Sequence, residues 1–485
     1  MLGLNNGGGR ISGEADLDVA QKLHHLWVQD DIRLTSKLTV NLGLRWEYNE
    51  WPHHRRGRMG GFDSIDGNFY WTSKNPITGA AANIRNTIAQ PQYMNFAPRI
   101  GFAYRMMPRT VVRGAYGIFY NPPAGWEWST GRGNWPFSLS DNLTGINIAG
   151  ARPTRADQFF GSFDPAKVAP SAQHTIARDL QTPYMQNWNI GVEHQLTQTL
   201  LLEMNYQGSK GTNLSSFLSS NDPTPGPGDP NPRRPWPQAG AFSELKTIGS
   251  SRYHGLTAKA EQRLARGLTY IASYAYQKNI DLSSEFGGSS PQNNRNIKAD
   301  LAPSGFDQTH VFNTGYSYML PGSNLRSPAK WLIGGWQTTG IWTLETGRPF
   351  NITLPFDNAN VGARGNFQRP NLVGNPYPDG WTKTYGPAGL YFNPAAFAAA
   401  PAFQFGNLGR NVLRGPGFKN FDIGMFKNFN FTERIRLQYR AEFFNLFNTP
   451  QFQIPNRLVG TPQFGSITDV VNTARQIQLA LKFRF

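Results

Sequence analysis

The chain has 485 residues, a net charge of +16 and no cysteine, and only 16% of its residues are charged. The lack of cysteine excludes disulfide frameworks, thiol catalysis and cysteine-based metal sites. No run approaches the roughly 18 apolar residues that a transmembrane helix needs, whereas 51 glycines, 35 prolines and 13% aromatic residues favour strands and turns. Because the lysines and arginines form no basic helix or dense tract, we expect no nucleic-acid partner.

The first candidate strand, residues 27–34, alternates imperfectly. The phase that places Val28, Ile32 and Leu34 on one apolar side also places Asp30 there. Either a bulge or a position near lipid headgroups would accommodate this carboxylate.

Residues 38–48, LTVNLGLRWEY, alternate almost perfectly. The even positions from Leu38 to Tyr48 are apolar, while Arg45 and Glu47 fall on the odd positions. Period two over this length predicts a strand with one apolar and one polar face, long enough to cross a bilayer at the tilt of a barrel strand. We expect the even positions on the convex face of a curved sheet and Arg45 and Glu47 on its concave face.

About thirteen such segments recur, and two kinds of connection alternate between them. Short turns lie at 35–37, 106–109, 196–199, 264–267 and 431–434, and long polar stretches lie at 49–97, 121–184, 209–251, 279–307, 347–418 and 448–473. This layout is typical of outer-membrane barrels, which have short turns on one side and long loops on the other. The sequence predicts an all-β, antiparallel, up-and-down transmembrane β-barrel with long extracellular loops.

The last strand alternates to the end of the chain. Its apolar positions are Ile477, Leu479, Leu481, Phe483 and Phe485, and they are interleaved with Gln476, Gln478, Lys482 and Arg484. A closing strand that ends on phenylalanine resembles the assembly signal read by the barrel assembly machinery, which we expect as a partner.

Several stretches are similar to TonB-dependent receptors of the Oar-like kind. They are 27–48, 96–105, 182–196, 306–321, 334–350 and, most clearly, 418–452, which contains AEFFNLFN. The resemblance covers about nine-tenths of the chain. It implies a location in the cell outer membrane, with lipid and lipopolysaccharide as neighbours.

Members of that family carry a signal peptide, a TonB box, a plug domain and a barrel of about 22 strands. Residues 1–19 have neither a basic nor an apolar segment of the signal-peptide kind. We therefore expect residues 1–485 to form one partial barrel domain that is truncated at its N-terminus and lacks the plug. Contact with TonB would be made only through the missing N-terminal part.

Charged residues on the polar faces of three strands are candidate lumen charges. They are Arg45, Glu47, Lys259, Glu261, Arg263, Arg436, Arg440 and Glu442. Such residues either guide a charged solute through the lumen or are hydrated charges that pair with neighbours or pack against a plug.

Other candidate sites are weaker. The pairs His24–His25 and His53–His54 lack the spacing of metal ligands, so we expect solvated loop histidines, no metal and no other cofactor. Asp30 and Asp31 are adjacent in a strand and cannot converge on one substrate atom. We predict no catalytic residue and no enzyme.

An outer loop holds Arg55, Arg56 and Arg58 close to Trp51 in sequence. These residues would bind an anion or a glycan, or they would form a solvated basic loop.

The leading functional hypothesis is the barrel of a TonB-dependent transporter for a bulky solute, inactive alone without its plug. The alternative is a plugless porin or a surface-exposed structural or adhesion barrel. A carbohydrate-active β-protein would need paired carboxylates across a cleft, and the sequence offers no such pair.

Overall fold

Thirteen long strands follow one another through a single antiparallel sheet in the computed structural model, which describes residues 7–13, 18–122, 125–144, 164–284, 291–322, 328–362, 368–432 and 434–485. The strands are β1 Leu23–Arg33, β2 Leu38–Asn49, β3 Asn95–Met107, β4 Thr110–Tyr120, β5 Tyr184–Gln195, β6 Leu200–Leu218, β7 Ser243–Ala265, β8 Leu268–Asp281, β9 His310–Met319, β10 Trp336–Glu345, β11 Phe418–Asn430, β12 Arg436–Phe444 and β13 Gln476–Arg484. Each pairs with its neighbours in sequence, and within the described residues β1 and β13 do not pair with each other. The predicted antiparallel, up-and-down sheet of about thirteen strands is confirmed, and the sheet is not closed within the described residues.

The remaining elements are short. Strand pairs join Gly7–Gly13 to Ser138–Thr144, Val19–Ala20 to His53–His54, Gly60–Phe62 to Phe69–Trp71, Pro349–Phe350 to Leu413–Arg414 and Asn371–Leu372 to Phe397–Ala398, while His174–Ile176 and Ala302–Pro303 add to β7 and β8. The α-helices are Gly125–Ser129 and Ala329–Ile333, and the 3-10 helices are Thr130–Gly133, Pro165–Lys167, Asn231–Arg233, Pro237–Ala239, Ile297–Asp300 and Pro394–Ala396. None of the helices in the described ranges is long and apolar enough to cross a membrane.

Apolar and polar side chains lie on opposite faces of the sheet. Leu42 of β2 pairs with Ile100 of β3, and these two side chains are 42% and 50% exposed. Arg45 and Glu47 fall on the other face, where Glu47 is buried. The predicted separation of the two faces is confirmed. An apolar face of this extent needs lipid or a partner to cover it.

The last strand follows the same rule. Leu479 pairs with Ala441 and Leu481 with Tyr439 on the apolar face, whereas Lys482 pairs with Gln438 on the polar face. Leu481 is 70% exposed. The odd positions of β13 therefore continue the apolar face to the edge of the sheet.

Asp30 lies on the apolar face without a bulge. The pairing of β1 with β2 runs without a shift from Leu23 to Arg33 and places Asp30 opposite Leu42. The suspected bulge was therefore wrong, because backbone pairing across the whole strand outweighs the exposure of one carboxylate at the edge of the sheet.

Long and short connections alternate as predicted, with two differences. Residues 209–251 were predicted as one long loop, yet β6 continues to Leu218 and β7 begins at Ser243. The backbone ladder persists there through register shifts after Gly211, although the side-chain alternation has ended. At the short-turn end, residues 320–335 form a longer connection that includes the helix Ala329–Ile333.

Most of the buried apolar side chains lie in the long loops. Two packed units, which we call lobe A and lobe B, stand at the long-loop end. The core of lobe A is formed by Trp51, Met59, Tyr70, Ile88, Ala89, Trp128, Ile176, Ala177, Leu180 and Leu245. The core of lobe B is formed by Phe350, Ile352, Tyr391, Phe392, Ala396, Phe397, Leu408, Leu413, Phe464 and Ile467. The long loops are thus folded structures with their own cores.

Candidate functional site

The predicted lumen charges lie on the polar face and pair mainly with neighbours on the same strand. Arg45 Nε lies 2.7 Å from Glu47 Oε1, and Lys259 Nζ lies 3.0 Å from Glu261 Oε2. The residues of each pair are two positions apart, so both side chains project from the same face of the strand.

The charges of β12 are arranged similarly. Arg440 lies 3.5 Å from Glu442, and its guanidinium stands 4.9 Å from the ring centre of Phe426. Arg436 pairs in register with Arg484 of β13.

An open cavity of about 660 Å³ lies along the polar face over strands β7 to β12. Its wall includes Glu261 and Arg263 from β7, Asp422 from β11 and Glu442 from β12. The structure thus brings three of the predicted lumen charges together in one space. It places Arg45 and Glu47 elsewhere, near the β1 edge.

The prediction of solvated loop histidines holds only in part: His24 is exposed and His53 is half-buried, but His24 and His25 lie in a long strand and His54 is buried. His25 lies within β1, where its ring nitrogens contact Arg45 at 2.5 Å and Asn49 at 3.0 Å, and His24 stacks on Tyr48. His54 is buried. The prediction fails where β1 begins at Leu23 and takes in His24 and His25, and where the folded loop buries His54. The described residues contain no group of three or more His, Cys, Asp or Glu side chains that could hold a metal.

The two adjacent aspartates face opposite sides, as predicted. Asp31 accepts a hydrogen bond from Asn41 Nδ2 at 2.5 Å on the polar face, whereas Asp30 lies across from Leu42.

The basic loop near Trp51 combines a buried aromatic ring with exposed arginines: the side chains of Arg55 and Arg56 are 67% and 51% exposed. Trp51 is buried in lobe A, stacks 5.7 Å from Trp128 and donates its indole N–H to Gln90 O at 2.7 Å. Arg55 and Arg56 instead face Asp18, at 3.4 and 3.8 Å. The interpretation with Trp51 as a ligand-binding aromatic was therefore wrong, because packing of the loop core uses this ring.

A polar cavity lies where the long-loop end of β8 to β12 meets lobe B, and we call it the loop-end cavity. Its volume is about 770 Å³, within the about 300–1,000 Å³ range of small-molecule sites. Four arginines line it: Arg348, Arg369, Arg410 and Arg457. Two carboxylates, Asp300 and Glu345, also line it.

The four arginines fall into two classes. Arg369 pairs with Asp300 at 2.6 Å and Arg410 with Asp281 at 2.5 Å, and all four of these side chains are largely buried. These two pairs tie the loops to one another. Arg348 and Arg457 are exposed, and neither has an ion-pair partner among the described residues. They leave the cavity with a positive electrostatic character.

An uncharged group in the same wall also lacks a partner. The side-chain oxygen of Asn351 is buried and accepts no hydrogen bond in the described structure. A buried acceptor without a donor is costly. A ligand that brings an N–H or O–H group would satisfy it.

A half-buried carboxylate, Asp222, lies in the loops. Burial raises the pKa of Asp222 from 3.8 to about 7, although Arg234, Arg295 and a hydrogen bond from Asn294 oppose the shift. Asn294 Nδ2 lies 2.5 Å from Asp222 Oδ2. This group is therefore poised to change its charge near neutral pH.

The sequence did not reveal the loop-end cavity. Its arginines are spread from 348 to 457 in stretches predicted as polar loops, and only the fold of lobe B brings them together. The signal available was the combination of arginine with buried-type aromatics such as Phe350 and Phe392 in a segment otherwise rich in glycine and proline.

A family model described as an outer membrane beta barrel domain matches residues 1–478. Among solved structures, the outer membrane transporter YddB from Escherichia coli is similar with a TM-score of 0.51 at 11% identity, over 96% of this chain and 45% of that one. The ferric-catecholate import receptor Fiu from E. coli is similar with a TM-score of 0.44 at 12% identity, over 96% of this chain and 45% of that one. The FrpB iron transporter from Neisseria meningitidis is similar with a TM-score of 0.46 at 11% identity, over 96% of this chain and 45% of that one.

The chain thus spans less than half the length of these solved proteins. No curated protein matches it. The family model and the similarity to YddB agree with the predicted outer-membrane barrel fold, and the Oar-like subtype stays a prediction.

Proposed function

The chain belongs to the family of outer-membrane β-barrel domains, and on this premise we propose that it forms the barrel of a TonB-dependent transporter that takes up a bulky anionic solute through the loop-end cavity. In barrels of this kind the long loops face the cell exterior. The loop-end cavity would then be the first enclosed site that a solute meets.

The observation that carries this proposal is the positive character of that cavity. Its volume of about 770 Å³ accommodates a solute larger than a simple sugar or amino acid. Arg348 and Arg457 supply guanidinium groups that have no ion-pair partner in the described part of the chain, and such groups bind carboxylate, catecholate or phosphate oxygens through paired hydrogen bonds.

The polar face supplies a route below the cavity. Glu345 lines the loop-end cavity, and Glu261, Arg263 and Glu442 line the second cavity on the same face. We propose that these alternating charges keep the route hydrated and guide the solute. Energised uptake would depend on a plug and on TonB, as the resemblance implies, so the chain alone would bind its solute without pumping it.

Binding by the full chain in detergent tests this proposal. The probe is a ferric tris-catecholate, a bulky trianion, and the comparison is a ferric tris-hydroxamate, which is neutral and of similar size. We expect the anion to quench tryptophan fluorescence saturably, and each of Arg348→Gln and Arg457→Gln to weaken its affinity about tenfold. Lys298→Gln, which removes a loop cation outside the cavity, is the matched control. Equal binding of both probes, or affinity unchanged in both arginine variants, would refute the proposal.

The alternative is a plugless porin or a surface-exposed structural or adhesion barrel. The observation that favours it is the packing of lobes A and B, which gives the long-loop end two rigid cores. Conductance across planar bilayers distinguishes the two. A stable open channel that the tris-catecholate does not block would favour the porin, and no channel together with no solute binding would favour the structural barrel.

A further inference from the structure

A groove of about 840 Å³ opens on the apolar face of strands β5 to β9, on the opposite side of the wall from the solute route. Its floor is formed by Ala258, Ala260 and Ala272, of which the last two are direct cross-strand partners. Ala258 is flanked by Met204 on β6 and Tyr274 on β8. Short side chains between long ones leave a depression in a face that contacts lipid.

Two cations stand at the long-loop end of the same face. Lys210 of β6 and Arg252 of β7 are direct cross-strand partners, and both are exposed. Among the described residues, no ion pair or hydrogen bond of either side chain is found. Like charges placed directly opposite each other destabilise a sheet, so an external anion would stabilise this pair.

A third cation extends this cluster. Lys278 of β8 pairs in register with His254, next to Arg252 on the apolar face, and its Nζ lies 3.8 Å from Asp307. On the outer sides of the Lys210–Arg252 pair, Lys210 pairs with Gln186 of β5 and Arg252 pairs with Ile280 of β8. No carboxylate is therefore placed in register beside the Lys210–Arg252 pair.

The cations and the groove are in register along β7. Arg252, His254 and Ala258 are separated by even numbers of residues, so they share a face, with about 7 Å between successive side chains on it. His254 hydrogen-bonds to Tyr206 Oη at 2.7 Å and packs at 6.0 Å from Trp188. Such an aromatic layer marks the membrane interface in barrels. The cations therefore stand at headgroup level and the groove lies at acyl level.

We propose that strands β5 to β8 hold a phosphate-bearing, multiply acylated lipid of the outer leaflet, of the lipid A class. Its phosphate contacts Lys210 and Arg252, and one acyl chain occupies the groove over Ala258 and Ala260. The two cations favour a headgroup that carries phosphate. Because the groove lies deeper in the membrane than these cations, its occupant is an acyl chain attached to that headgroup. The site is independent of the solute cavity, because it lies on the other face of the sheet.

Lipid retention by the purified full chain tests this. The delipidated protein in detergent is incubated with lipid A, and the bound lipid is measured by native mass spectrometry. We expect lipid A to bind at least about tenfold more tightly than its dephosphorylated form. The double variant Lys210→Gln, Arg252→Gln should lose about 100-fold, at about tenfold for each cation. The control Arg99→Gln, which removes an exposed cation from the polar face of β3, should bind like the parent.

A second variant tests the groove separately. Ala258→Phe fills the floor, and it should lower lipid A affinity about tenfold while leaving the binding of inorganic pyrophosphate unchanged. Heat-modifiable migration of each variant confirms that it is folded. Pyrophosphate that binds as tightly as lipid A would overturn the acyl part of the proposal. Equal binding of lipid A and its dephosphorylated form, a comparison that needs no variant, would overturn the phosphate part.

Discussion

The depth of an introduced charge along β13 should set its effect on stability. Leu481 lies in the row of Tyr439, Lys427 and Trp336 on the apolar face. In that row Lys427 Nζ donates to Gly334 O of the short-turn connection, so a charged group is already accommodated there. This row therefore marks the membrane interface at the short-turn end.

Ile477 lies deeper in the same strand. Four residues at about 3.4 Å each place it about 14 Å along the strand from Leu481. A tilt of about 45° converts this to a depth of about 10 Å, close to the middle of an apolar band that is about 25 Å tall. An arginine costs about 2–4 kcal/mol near the midplane and about 0–1 kcal/mol near the interface. We expect Ile477→Arg to destabilise the sheet by about 2–4 kcal/mol and Leu481→Arg by less than about 1 kcal/mol.

The assay is urea unfolding of the full chain reconstituted in phospholipid vesicles, with the free energy of unfolding compared between variants. Gln478→Arg, on the polar face beside Ile477, is the control and should lie within about 0.5 kcal/mol of the parent. If Ile477→Arg and Gln478→Arg cost the same, or if Leu481→Arg costs more than Ile477→Arg, then the assignment of the apolar face or of the interface is wrong.

Three further outcomes are expected. Phe392→Ala, in the core of lobe B, should destabilise that lobe by about 3–5 kcal/mol and make it protease-sensitive while the sheet stays intact. The control Phe356→Ala, at an exposed position, should leave protease resistance unchanged, and equal sensitivity of the two variants would contradict the core assignment. Burial raises the pKa of Asp222 from 3.8 to about 7 in the folded loops, so the folded loops bind a proton that the unfolded chain has already released above pH 4. The stability of the loops should therefore fall as pH rises from 4 to 7. Asp222→Asn should remove this fall, and unchanged pH dependence in limited proteolysis would contradict it. Deleting Phe485 should lower the heat-modifiable fraction of the protein in outer-membrane preparations without changing the free energy of unfolding of the protein that does assemble. Assembly at the parent level would count against a role of Phe485 in the assembly signal.

The sheet was predictable because apolar and polar side chains alternate with a period of two residues along its strands. Each apolar position of β2 and β13 could be assigned to a face from sequence alone, since a strand has only two faces. The pattern failed where the ladder continues without alternation, as in β6 beyond Gly211. It also failed to separate residues by depth, because depth depends on tilt and register rather than on composition.

The lobes and the loop-end cavity could not be predicted in this way. Irregular loops have no period, so the burial of Trp51 and His54 depends on which distant segments pack against them. Arg348 and Arg457 are more than a hundred residues apart. Only the tertiary fold of lobe B makes them neighbours of one cavity.

The cores of the lobes also constrain how this surface can change over evolutionary time. Lobe A joins residues from 51 to 245 in one core, so a length change at a buried position such as Ile88 would disturb several loops at once. Gly79, in contrast, has open space around it at a loop tip. Sequence drift in response to phages or antibodies can concentrate at such tips while the scaffold beneath is kept, and the same tips are suitable positions for displaying grafted peptides on a cell surface.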